Sequence, residues 1–196
     1  MKLCILFIVA ILFFSATAFA GEIREFDLKT IERLGNELTR VSQTSERGAT
    51  NAVRKRAKQT AIAALQGKLF DIRYDYVVLG DPDGSGFLVY ALGRGSKPGD
   101  VVVCGHFRVT VSADGNKVER IDALSQGLMI ENKNVNHSPP GYRDVGIVIA
   151  QRVSNKPVET FVYANLLLQK DLFVSGPDFS VWFIKNGKIT KSDSKK

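Results

Sequence analysis

The chain changes its hydrophobic period once, near residue 70, and that change limits what it can fold into. In "DLKTIERLGNELTRV" (27–41), Ile31, Leu34, Leu38 and Val41 recur every three or four residues. That spacing places them on one stripe of an amphipathic helix. Asp27 stands where an N-cap acceptor belongs. Gly35 costs this helix about 1 kcal/mol against alanine, so it is expected to depend on docking. After a break at "SQTSERG" (42–48), "ATNAVRKRAKQTAIAALQG" (49–67) predicts a second helix with an alanine-rich buried side and Gly67 as its stop.

Beyond residue 70 the period is two. Strands are expected in "IRYDYVVLG" and "GFLVYALG", in one long run with a return at Asp114-Gly115 ("DVVVCGHFRVTVSADGNKVERIDAL"), and in "DVGIVIAQRV", "VETFVYANLLL" and "DLFVSG". A closing hairpin is expected on Asn186-Gly187. Helices gathered at one end and hairpin-linked strands at the other predict an α+β fold. Two N-terminal helices would pack on one face of a mostly antiparallel β-sheet. No βαβ alternation is evident, so no nucleotide crevice at a sheet switch point is expected.

Ahead of that domain, Met1-Lys2, the apolar run "LCILFIVAILFF" and the small-residue end Ala18-Phe19-Ala20 have the anatomy of a signal peptide cleaved after Ala20. The expectation is a periplasmic or secreted protein with one α+β domain over 21–190, a disordered basic tail at 191–196 and no transmembrane segment after cleavage. An uncleaved anchor is the rival reading. The full chain carries a formal net charge of +7, and Lys2 is the only charge in the leader. A positive exported protein suits an acidic protein partner or an anionic envelope polymer. Cys4 leaves with the leader, so Cys104 has no partner for an intramolecular disulfide.

Candidate sites are few. In "GDPDGSGF" (80–87), Asp81, Asp83 and Ser85 alternate as calcium-loop ligands do, and Gly86 stands at the turn position. An EF-hand loop also needs a glutamate at its twelfth position, which is Leu92 here, and helical flanks. A turn between strands is the other reading, and the better one. Cys104 and His106 would share a strand face, which makes a nucleophile–base pair geometrically conceivable, but no orienting third group is identified. Two histidines are too few for a zinc site. No G-x-S-x-G, H-E-x-x-H or Walker spacing occurs, so neither catalytic residues nor a cofactor is assigned.

The binding candidates are Arg47, Arg54, Lys55 and Lys58, which share the side of the second helix away from its alanines. His137, in the polar loop "ENKNVNHSPPGYRD", and Trp182, among the C-terminal aromatics, complete the set. The basic helix carries no aromatics for base stacking, and no nucleic acid is expected.

The segments "GKLFDIRYDYVVLGDPDGSGFLVYAL", "GHFRVTVSADGNKVERIDALS" and "VETFVYANLLLQKDLFV" resemble those of a group of small exported bacterial proteins with no assigned function. These share a glycine-histidine-aromatic-arginine strand before a DG turn. The resemblance spans about residues 65–190 and implies a bacterial envelope setting; none of its motifs is catalytic. Together these readings favour an exported, non-catalytic binding or inhibitor/immunity-like module. An envelope enzyme with an unrecognised site and a passive binder of anionic polymers are the alternatives.

Overall fold

The computed structural model describes residues 23–135 and 146–192. The leader, His137 with the centre of its loop, and residues 193–196 of the basic tail lie outside the described residues. Lys191, expected in that tail, instead ends a strand paired with Trp182.

Helix α1 (Leu28–Ser42) begins on Asp27, whose carboxylate accepts from the Thr30 amide at 3.0 Å and the Thr30 hydroxyl at 2.8 Å. Ile31, Leu34, Leu38 and Val41 are buried, as the stripe predicts. Helix α2 (Ala52–Ala64) is capped by Asn51 and buries Ala57 and Ala61.

Strands β1 (Arg73–Gly80), β2 (Phe87–Arg94), β4 (Phe107–Val111) and β5 (Val118–Ala123) form one antiparallel sheet in the order β1-β2-β4-β5. A two-stranded ribbon joins β3 (Asp100–Cys104) to β6 (Met129–Asn132). The second sheet has the order β10-β9-β8-β7, built from β7 (Gly146–Ala150), β8 (Asp171–Ser175), β9 (Val181–Lys185) and β10 (Lys188–Lys191). Asn186 and Gly187, at φ of 49° and 75°, make the tight turn expected between β9 and β10.

Four expectations require correction. "VETFVYANLLL" is not a strand but helix α3 (Glu159–Leu168). Seven of its ten residues are buried, so no polar face remains to give a 3.6-residue signal. Helix α3 also links β7 to β8, which pair in parallel, so the fold does contain one βαβ unit. The long run through Cys104 is two strands, broken at Gly105, whose φ of +108° suits glycine. The two N-terminal helices also take opposite faces of the first sheet. Alternation along β1 sends Val77 and Leu79 toward α1 and Val78 toward α2. The larger core then continues through α3 to Leu172, Val174, Trp182 and Ile184 of the second sheet.

Gly35 sits where α1 crosses α3. A Cβ there would lie 2.4 Å from Val162 Cβ and 2.7 Å from the Glu159 carbonyl oxygen. The glycine that weakens α1 in isolation is what lets it dock. Gly35→Ala is therefore expected to destabilise the protein by about 1–3 kcal/mol, because overpacking outweighs the gain in helix propensity. Urea denaturation measures this, and an unchanged midpoint would disprove the close crossing.

Candidate functional site

The largest concentration of ionisable groups lies inside the protein. Register places Tyr90, Arg108 and Asp122 side by side across β2, β4 and β5. All three point toward the larger core, where Arg108 is 1% exposed. Helix α3 brings Glu159 to the same point from its first turn.

Arg108 donates to Glu159 Oε1 at 2.6 Å and to Asp122 Oδ2 at 2.7 and 3.2 Å, and its third direction is taken by the Arg24 carbonyl. Tyr90 donates to the same Glu159 oxygen at 2.9 Å. Asp122 Oδ1 accepts from Arg120 Nε at 2.5 Å and from the Arg24 amide at 3.4 Å. The Phe26 ring lies 4.7 Å from the Arg108 guanidinium and 4.9 Å from that of Arg24. Burial works against the charge on Arg108. The Glu159 and Asp122 carboxylates outweigh it and hold the guanidinium above its ordinary pKa. Burial, then the Glu159 charge, pushes the Tyr90 phenol well up, so it stays a donor.

This constellation has the residue types of an active site without access. The cavity beside Glu159, lined also by Arg24 and Phe26, holds about 10 Å³, room for about one water. Apart from the Arg120–Asp122 bond within β5, every hydrogen bond named above holds one protein element to another. The network is therefore a clamp that ties the N-terminal segment and α3 to the first sheet.

The DPDGSG stretch belongs to the same clamp. Arg24 reaches Asp81 through two hydrogen bonds of 2.7 Å and Asp83 through one of 3.1 Å. The Asp81 side chain is only 6% exposed. Burial would raise the Asp81 pKa, but Arg24 and the Asp83 amide lower it on balance. Asp81 is thus committed to an arginine, and Ser85 stays on the turn between β1 and β2. Among the described residues no three His, Cys, Asp or Glu side chains gather as a metal site.

Cys104 and His106 are separated by the Gly105 bend, and both histidine nitrogens are engaged. Nδ1 accepts from the Gly93 amide and Nε2 donates to the Val102 carbonyl, each at 3.0 Å. Burial lowers the His106 pKa to about 4 and raises that of Cys104 to about 11. A neutral imidazole fixed at both nitrogens beside a protonated thiol is no nucleophilic pair.

The basic face divides. Arg54 turns back to donate to the Val78 and Gly48 carbonyls at 3.2 and 3.3 Å, with its guanidinium over the Phe87 ring. Arg47 pairs with Asp75 at 3.3 Å beside Arg94, at the edge of a cavity of about 280 Å³. Lys55 is exposed and Lys58 half-buried. Trp182 is a core residue whose indole donates to the Asn155 carbonyl at 2.9 Å. Phe183, on the opposite face of β9, is the outward one.

Sequence reasoning missed the outer face of the second sheet. Register aligns Val148, Phe173 and Phe183 across β7, β8 and β9, with the two phenylalanine rings 5.0 Å apart. Val148 is 75% and Phe173 38% exposed. The neighbouring row ends on Val181, which leads back to Phe179 at the tip of the β8–β9 hairpin. Phe179 is 88% exposed and has a φ of +63°, a left-handed conformation that costs a non-glycine residue about 1–2 kcal/mol. Asp178 fixes that tip by accepting from the Ser180 amide and hydroxyl at 3.0 and 2.6 Å. Alternation in "DLFVS" and "VWFIK" could have signalled this face, had the layer covering the other side been known.

No family model, no curated protein and no solved structure matches the chain. No helix among the described residues is long and apolar enough to cross a membrane.

Proposed function

We propose that the protein is an exported, non-catalytic protein-binding module of the bacterial envelope, of the inhibitor or immunity type. The observation that carries this reading is Phe179: a fully presented aromatic, in a strained backbone conformation, beside an outward apolar row. The turn itself holds the backbone, with the Phe179 amide donating to the Gly176 carbonyl at 3.1 Å and the Gly176 amide to the Ser180 carbonyl at 2.8 Å. The ring stays uncovered among the described residues, and aromatics presented this way serve as anchors at protein interfaces. Exposed apolar side chains on one side of a soluble domain point the same way. The leader pattern in residues 1–20 supports export. The positive net charge favours an acidic partner.

The polymer-binding alternative loses much of its support with Arg54 turned inward. The enzyme alternative lacks an accessible site in the buried Arg108 cluster.

The test uses the intact protein as bait on an envelope extract, washed at high salt, beside Phe179→Gly. Glycine tolerates the backbone conformation, so the melting temperature should hold or rise. A discrete protein kept by the wild type and lost by the variant is the expected result. Equal retention by both, or turnover of an envelope substrate by the purified protein, would contradict the proposal.

A further inference from the structure

A second feature lies beside the outward row, between the last strands of two sheets. Among the described residues β7 pairs only with β8, and β6 only with β3. Between them runs a groove of about 290 Å³, walled by Leu128 and Met129 on one side and by Val148 to Arg152 on the other, with Cys104 also lining it. Its rim carries exposed apolar side chains: Leu128 is 40% and Val148 75% exposed.

Gln151 decides what such a groove takes. Its backbone amide continues the ladder with β8, donating to the Ser175 carbonyl at 2.8 Å. The residue lines the groove and is 2% exposed; its Nε2 is buried just beneath and makes no hydrogen bond among the described residues. A buried amide donor without an acceptor opposes folding, and an apolar residue of similar size would suit the position better. An acceptor that arrives with a ligand would satisfy it.

We infer that the groove between β6 and β7 receives an extended segment of the partner protein. The segment lies along the strand edges, places an apolar side chain between Met129 and Ile149, and offers a backbone carbonyl to Gln151 Nε2. This rests on the protein-binding reading above and assigns it a mode. Strand edges supply the backbone groups that an added strand needs, and alternate side chains supply specificity. The volume is at the low end for a small-molecule site and suits a side chain. Exposed Arg152 at the groove's end favours an acidic residue on the segment. A second copy of the chain would carry the same positive net charge, which opposes self-association.

The probe is a displayed library of random twelve-residue peptides, selected on the intact protein. Enriched peptides should alternate apolar and polar residues, carry acids, and protect amides of 129–132 and 146–151 from hydrogen exchange. Gln151→Leu should keep or raise the melting temperature while weakening those peptides about ten-fold, the loss of one buried hydrogen bond. Failure to enrich peptides, equal binding to Gln151→Leu, or protection that maps elsewhere would overturn the inference. So would concentration-dependent dimerisation that itself protects β7, since the occupant would then be a second copy. The two proposals fail separately. A partner lost on Phe179→Gly but kept on Gln151→Leu removes the groove and leaves the binding reading standing. A partner kept by both variants removes both.

Discussion

Replacing Arg108 by methionine is expected to destabilise the protein by about 3–5 kcal/mol, enough to abolish folding of a marginal domain. Methionine fills much of the volume, so the effect is electrostatic rather than a cavity. Removing the guanidinium leaves Glu159, 1% exposed, with Tyr90 as its remaining side-chain donor among the described residues. Asp122 keeps Arg120 and the Arg24 amide. Glu159 therefore bears most of the penalty, and adding Glu159→Leu to Arg108→Met should recover part of the loss. Urea denaturation of the two single variants and the double variant isolates this coupling. A loss below about 1 kcal/mol in Arg108→Met would show that the cluster does not clamp the fold.

Acid should weaken the fold before most carboxylates titrate. His106 is buried with both nitrogens bonded to backbone groups, and its pKa falls from 6.5 to about 4. Between those values the unfolded chain binds a proton that the folded protein refuses. Stability is thus full above pH 6.5, declines as pH falls toward 4, and loses nothing further from this group below that. The drop is about 3 kcal/mol over that window. His106→Gln should flatten this part of the stability curve, at some cost at neutral pH because glutamine cannot hold both bonds in the same geometry. Denaturant titrations at pH 7, 5.5 and 4 measure it. Equal slopes for the wild type and the variant would mean that His106 titrates normally.

What the sequence made legible follows from how local each signal is. The stripe of α1 and its Asp27 cap are contained within a few turns, as is the Asn186-Gly187 turn, and the structure shows all of them. Helix α3 was hidden because burial on nearly every side erases the periodicity that marks a helix. Gly105 was hidden because strand-like sequence runs on both sides of it and the break is a matter of one φ angle. Arg108 reads as an ordinary polar position in an alternating strand. Only its cross-strand neighbours Tyr90 and Asp122, and Glu159 from a distant helix, turn it into a clamp. Arg54 shares a helical wheel with Lys55 and Lys58, but the wheel cannot show that its guanidinium reaches back to the Val78 carbonyl. The outward row Val148–Phe173–Phe183 depends on one parallel and one antiparallel register that no single segment contains.

Affinity for the captured partner, measured by calorimetry from low to high salt, separates binding through the apolar face from binding through charge. The wild type, Phe179→Gly and the double reversal Lys55→Glu/Lys58→Glu are compared. The expected result is binding that survives high salt, falls at least about ten-fold on Phe179→Gly, and changes little on charge reversal. Binding that vanishes as salt rises and on charge reversal, with Phe179→Gly unaffected, would contradict a protein-binding face on the second sheet.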